Sequence, residues 1–404
     1  MALGEVTPGL AEQWRRLARW PLQANPFLAP GNLLPAISVR GAESIELAVV
    51  TEQDRAMGLV AVRRLPGWRH LRRPVLTSRG LAGPVGLGRL GVPLLSGVRS
   101  RQALSALLGL LAQDGRAGLL VLEAFDVDGP VGQELHGVLR ELRMPSYVVR
   151  RWTRPVANFP AEQPERGAAW VLDRHLRREV ARYARVTGRQ LGRTPVLVDR
   201  SGDEEQARRF LEIEARTSKS GLPEGAGALT TVPGAAEWFV RSATLLGRQG
   251  EALLFSLEVD GRPLAMNYML ASPGRAWFGF KTWYSPQWRN CGLGDQLMAG
   301  ILERARDLTP VRVVDSCTDE GNWHFGRYFT QSRQLCDVLI GLRGARDRVG
   351  VLTLPVARPL RRALMGLVGA SSLGRAGPGG ETPQPVETAR PAPTAATPMT
   401  SQST

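Results

Sequence analysis

Residues 284–305, YSPQWRNCGLGDQLMAGILERA, decide how this chain is read. A strand-like run, Ala276 to Trp283, leads into them, and an amphipathic helical pattern follows. The turn between is Arg289-Asn290-Cys291-Gly292-Leu293-Gly294. Two glycines at a helix start let the backbone approach a ligand closely and aim free N–H groups at it. A helix N-terminus presented this way binds phosphate. The backbone amides of Asn290, Cys291, Gly292, Leu293 and Gly294, with the charge of Arg289, are the expected phosphate cradle.

Outward from this turn the pattern is α/β. Upstream, Glu251 to Val259 and Leu264 to Ala271 read as strands around an Asp260-Gly261 hairpin turn. Helices are expected over 171–188, 203–215 and 234–247. Downstream, Val311 to Ser316 reads as a strand and Trp323 to Phe329 as the start of a helix. Leu335 to Leu342 is expected to close the sheet. The first half repeats this order. Residues 45–62, IELAVVTEQDRAMGLVAV, parallel 252–270, ALLFSLEVDGRPLAMNYML; the helix over 101–112, with a serine cap, parallels 293–305; the strand 117–124 parallels 311–316. Nothing in the first half matches the glycine turn. Gly86-x-Gly88-x-x-Gly91 looks like a dinucleotide fingerprint, but Val92-Pro93 stands where a helix should begin, so these are read as turn glycines.

The chain of 404 residues is long enough for two ordinary domains, and 43% hydrophobic with 22% charged residues is a globular composition. No apolar run approaches the roughly 20 residues that span a bilayer, and no export signal is visible. Three cysteines without C-x-x-C pairing suggest neither a disulfide frame nor a zinc site, and fit a reducing cytoplasm. His70, His136, His175 and His324 have no metal spacing, so no metal is expected. Net charge is +15, yet all but two of the 52 basic residues are arginine; the exceptions are Lys219 and Lys281. So uniform a choice reads as codon bias, and nucleic acid is not an expected partner. Arg174, Arg177, Arg178, Arg182 and Arg185 are read as the solvated face of a helix, with phosphate or membrane contact as the alternative. Pro355 to Val368 reads as an amphipathic helix with Arg358, Arg361 and Arg362 on its polar side, expected to pack on the domain, with a membrane surface as the alternative, and the Gly-, Pro-, Ser- and Thr-rich residues beyond Gly369 as a disordered tail.

The pattern R-x-x-G-x-G between strand and helix, with the strand pair around Asp260-Gly261 and the run Phe210 to Gly221, resembles the GNAT N-acyltransferases of the two-lobed kind. The nearest type is the cellulose-biosynthesis CelD-like group, similar in layout to the FemAB aminoacyl transferases. The resemblance implies two related GNAT-like lobes, over 1–165 and 166–345, with mixed sheets flanked by helices, followed by the amphipathic helix within 346–368 and the tail 369–404. It implies acetyl-CoA as acyl donor, an amine or amino-sugar acceptor, and a role in envelope or exopolysaccharide metabolism. The expected location is the cytoplasm or the inner face of the membrane, with peripheral membrane or polysaccharide machinery as a partner. The alternatives are an aminoacyl transferase of the FemAB kind and a non-catalytic partner of a polysaccharide machine. In the family, tryptophan often precedes the loop lysine; this chain has Thr217-Ser218-Lys219 instead.

Acyl transfer to an amine needs a base, a donor for the oxyanion and a proton for the leaving thiolate. Glu214, at a helix end before the acceptor-side loop, and Asp315, at a strand end where open α/β sheets place ligands, are the candidate bases. Tyr284 is the candidate donor to the thiolate. Lys219 is a candidate because a compact, titratable charge stands out in a chain that otherwise uses arginine.

Overall fold

The computed structural model describes residues 1–67, 73–78, 80–81, 85–159, 172–217, 227–272, 274–308, 311–318, 326–329, 331–343, 347 and 351, without the Arg289 side chain. Lys219, His70, His324, the beginning of the expected helix at Trp323, the amphipathic segment after Pro355 and the tail lie outside these residues.

In the first half, helix α1 (Pro8–Arg19) and the single turn α2 (Pro30–Leu33) precede strands β1 (Ile45–Glu52), β2 (Arg55–Leu65), β3 (Val75–Thr77) and β4 (Leu94–Leu95). Then come α3 (Ser100–Gln113), β5 (Leu119–Asp126), α4 (Pro130–Glu141) and β6 (Ser146–Asn158). The second half runs α5 (Arg174–Leu191), β7 (Val196–Asp199), α6 (Glu204–Ala215), α7 (Ala235–Arg248), β8 (Ala252–Val259), β9 (Arg262–Ser272) and β10 (Ala276–Tyr284). It ends with α8 (Leu293–Asp307), β11 (Val313–Asp315) and β12 (Gln331–Gly341). The short β7 was not anticipated from the sequence.

One mixed sheet holds all these strands in the order β1-β2-β3-β5-β12-β6-β11-β10-β9-β8-β7, with β4 beside β2. The order is close to a palindrome. In each half an antiparallel pair (β1–β2, β8–β9) leads to a parallel pair (β3–β5, β10–β11). Each outer edge carries one more piece of chain, β7 against β8 and Ala2 bridging Glu46 of β1. This is the repeat expected from the sequence, realised as a pseudo-two-fold.

The centre departs from expectation. β12 does not close the second lobe; it lies between β5 and β6 of the first. In return β6 crosses to pair with β11. Each lobe has handed its last strand to the other. The physical reason is burial on both faces: from Leu335 to Gly341 every residue of β12 is buried, which suits an interior strand and not an edge. The core follows the same rule. Trp14, Phe27, Leu59 and Leu90 of the first half share one apolar cluster with Trp238, Tyr268 and Phe278 of the second. Phe27 packs edge-on to Phe278 with ring centroids 6.0 Å apart.

The parallel strands fork apart in both lobes, and the two forks differ. In the first, the chain from Gly86 to Val92 lies across the gap. A Cβ at Gly88 would come within 2.8 Å of the Ser78 carbonyl, and one at Gly91 within 2.7 Å of the Glu123 amide nitrogen. The glycines that imitate a dinucleotide fingerprint therefore let the protein's own chain occupy that space. The helix start beyond it also differs from the expected serine cap: Arg99 is the N-cap, in the left-handed region, and Ser100 inside the helix bonds Glu134 at 2.8 Å. Gly91→Ala is expected to destabilise the fold by roughly 1–3 kcal/mol, because the new methyl meets backbone that cannot yield; urea unfolding measures it, and an unchanged midpoint would show that the segment does not press on β5.

Candidate functional site

The second fork opens after Phe278 and Asp315, the last paired residues of β10 and β11. β10 runs on to Tyr284 with a bulge at Phe280. A Cβ at Gly279 would approach the Ser316 carbonyl to 2.6 Å, so glycine lets the strands part at this point. Here lie the carboxyl ends of the parallel strands, where α/β sheets bind ligands.

The glycine turn ends next to this fork. A 3-10 segment, Pro286–Cys291, leads to Gly292, which caps α8 from the left-handed region at φ +55°. A Cβ there would run into the ring of Tyr183 on α5, so glycine is required twice over. No side chain caps the first turn of α8. At Gly294 the nearest atoms to a built Cβ, among the described residues, are those of the Tyr284 ring, at 3.8 Å and beyond, so no described side chain presses on the first turn there.

Buried polar contacts fix the turn from behind. Gln296 donates to the Cys291 carbonyl at 2.8 Å and to Thr187 Oγ1 at 2.9 Å, and Cys291 Sγ donates to Gln190 at 3.0 Å. Tyr183 donates to Glu179 at 3.0 Å; burial and that carboxylate raise its pKa, which keeps the hydroxyl a donor. Arg327 pairs with Glu179 and stands 3.9 Å from Asp295, the acid of the first turn. Tyr183, Thr187, Gln190 and Gln296 were not found from the sequence; they act across two helices and follow no local motif.

The candidate bases fall in different surroundings. Asp315 is fully buried. It accepts the Cys317 amide at 2.7 Å, pairs with Arg333 of β12 and lies 4.0 Å from Arg154 of β6. Arg333 also reaches Asp126 at 3.7 Å, whose pKa burial raises against the pull of that arginine. Across β5, β12, β6 and β11 the charges thus run Asp, Arg, Arg, Asp, and Arg333 and Arg154 are direct register partners. Asp315 is locked into the joint between lobes. Cys317 follows it with φ +49°, its thiol pKa pushed up by burial.

Glu214, on α6, meets β10 beyond the fork. It is 6% exposed, pairs with Lys281 Nζ at 2.5 Å and accepts the Leu229 amide at 3.0 Å. Lys281 also donates to the Gly227 carbonyl at 2.7 Å. The sequence reading placed Glu214 at a helix end and marked Lys281 as unusual; the structure joins them on the α6–α7 side of β10 beyond the fork. Arg89, from the segment that crosses the first fork, reaches the same region. It donates to the Cys317 carbonyl at 3.3 Å and stacks 5.0 Å from the Phe280 ring centroid. Tyr284 is half exposed beside the start of α8. Among the described residues no group of His, Cys, Asp and Glu could hold a metal ion, and no helix is long and apolar enough to cross a membrane.

Residues 174–327 match the family profile of the acetyltransferase (GNAT) domain. That span begins with α5 and contains the glycine turn, the fork and Glu214. No curated protein matches the chain. Among solved structures, FemX is similar over 83% of this chain and 96% of its own, with a TM-score of 0.51 and 11% identity. The C-terminal domain of a putative lysylphosphatidylglycerol synthetase from Agrobacterium fabrum is similar over 86% and 95%, at TM-score 0.47 and 11% identity. A tandem GNAT protein from the clavulanic acid pathway is similar over 85% and 98%, at 0.40 and 14%. At 11% identity the likeness to FemX is one of fold, and the other two are looser.

Removing one partner of a buried ion pair strands the other. Lys281→Met is expected to cost roughly 3–5 kcal/mol, and Glu214→Leu added to it to recover most of that loss. A double-mutant cycle by chemical denaturation tests this, and additive losses would mean that the pair is not coupled.

Proposed function

We propose that the protein is an acyl-CoA-dependent N-acyltransferase whose donor site is the start of α8 and whose acceptor approaches the fork from the α6–α7 side. The observation that carries this reading is the first turn of α8: a left-handed glycine cap, no capping side chain and, among the described residues, only the Tyr284 ring at ordinary contact distance from Gly294. These features fit a pyrophosphate, since unpaired amides and the helix dipole favour an anion there. The match of residues 174–327 to the acetyltransferase domain supports the choice of donor. Acyl-CoA would supply an activated thioester carbonyl.

This chain's residues would then do three things. The amides of Leu293 and Gly294 would hold the phosphates, with Asn290 on the exposed side of the turn. Among the described residues β10 beyond Gly279 pairs with β9 on one side only, and backbone on its other side would serve the acyl arm and the developing oxyanion. Glu214 would take the proton from the amine as the new C–N bond forms and the C–S bond breaks, the departing thiolate being protonated in turn. Among the acids read as bases, its carboxylate is the one beside β10 past the fork, held there by Lys281. Asp315 has no such freedom between Arg333 and the Cys317 amide. Tyr284, next to Gly294, would line the phosphate end of the site.

Gly294→Glu separates binding from folding. The helix gains a better former and an acid near its N-terminus, so thermal stability is expected to stay level or rise by up to about 1 kcal/mol. Acetyl-CoA affinity by calorimetry should fall at least tenfold. Undiminished affinity in this variant, or no binding by the wild type, would remove the proposed donor site. With binding established, release of free thiol in the presence of amines and amino sugars screens for the acceptor, and Glu214→Gln should lower turnover far more than donor affinity.

A further inference from the structure

Helix α5 presents two unlike faces. Leu176 and Thr187 are buried, and Tyr183 packs on Gly292. On the opposite face Arg174, Arg178, Arg182, Arg185 and Arg189 are all exposed. At 100° per residue they fall within about 80° of arc, along roughly 22 Å of helix. No acidic residue of α5 shares that arc; Glu179 lies outside it, bonded to Tyr183 and Arg327. Among the described residues, none of the five meets a carboxylate: Arg185 bonds the Ala181 carbonyl, and Arg182 lies over the Tyr183 ring at 4.5 Å. Exposed arginines elsewhere are mixed and scattered: Arg15, Arg99, Arg101, Arg116 and Arg208 each face an acid, whereas Arg40, Arg55, Arg140, Arg216 and Arg262 meet none among the described residues but lie on separate elements. Codon bias accounts for arginine in place of lysine; it does not account for five exposed cations aligned along one helix face.

We propose that this stripe docks the protein on an anionic lipid surface. Colinear charges on a convex helix can all meet a plane at once, whereas single-stranded nucleic acid is held in a concave basic groove with aromatic side chains for its bases. No Phe, Tyr or Trp shares the exposed arc. The sequence also holds a second signal of the membrane kind: Pro355 to Val368 interleaves Arg358, Arg361 and Arg362 with Leu360, Leu364, Met365 and Leu367. Attraction of several arginines to anionic headgroups is additive to a first approximation and fades as salt rises.

The test is sedimentation of the full chain with vesicles of phosphatidylcholine containing about 30% phosphatidylglycerol, against vesicles of phosphatidylcholine alone. The wild type should bind the anionic vesicles only. Arg178→Gln/Arg182→Gln/Arg185→Gln should weaken that binding roughly 100-fold at low salt, while acetyl-CoA affinity changes less than twofold. Arg15→Gln/Arg16→Gln/Arg208→Gln removes the same charge elsewhere and should leave vesicle binding within a few-fold. Equal loss in both triple variants would reduce the effect to net charge. Loss of acetyl-CoA affinity in the α5 variant would assign the stripe to the donor. Tighter binding to a single-stranded oligonucleotide than to the vesicles at the same salt would assign it to nucleic acid. Each of these results overturns the proposal.

Discussion

The fold depends on two strands being in the wrong lobe. β6 and β12 lie side by side at the centre, each paired outward with the parallel strand of the other half. The exchange brings Arg333 and Arg154 face to face, a repulsive pairing unless acids flank them. Asp126 and Asp315 do so, one from each outer neighbour. Two residues beyond each arginine, the strand faces one of these acids: Leu335 faces Asp126 and Val156 faces Asp315. Such charges are costly to bury alone and acceptable only together. The lobes therefore cannot separate without exposing a core and stranding four charges, and the fork beside Asp315 is held at a fixed opening.

That joint lets the two halves diverge. The first keeps its parallel pair but fills the fork with its own chain, Gly86 to Val92, and starts the following helix without glycine. In the second the strands part at Gly279 and the helix start carries no side-chain cap. The filler is more than a plug: Arg89 extends from it to the Cys317 carbonyl and the Phe280 ring, so the closed half supports the mouth of the open one.

What the sequence disclosed were the features with local causes. Asp260-Gly261 fixes a hairpin, the strand runs on either side fix β8 and β9, and a left-handed residue at a helix start asks for a glycine such as Gly292. The repeat was legible because both halves keep the same order of apolar runs. The exchange of strands was not, because pairing between distant segments leaves no mark in spacing; its one sign was the run Leu335 to Gly341 of β12, apolar except for Asp337, which suits a strand covered on both sides. The same limit applies to the site. Asp315 stands at a strand end, as expected of a catalytic acid, and only the folded chain brings Arg333 against it. Lys281 stood out by its rarity, yet its partner Glu214 comes from another element. Tyr183 and Gln296, which shape the turn, are ordinary helical residues until α5 and α8 are packed together.

The central claim is that one fork of two binds the donor. Hydrogen–deuterium exchange of the full chain with and without acetyl-CoA tests it directly, since amides that accept a ligand exchange more slowly. Protection is predicted for 290–295 and for 279–284 along the free side of β10, with 77–91 and 100–104 in the first lobe unchanged. Protection centred on the first lobe, or a uniform slowing without a focus on the start of α8, would contradict the account.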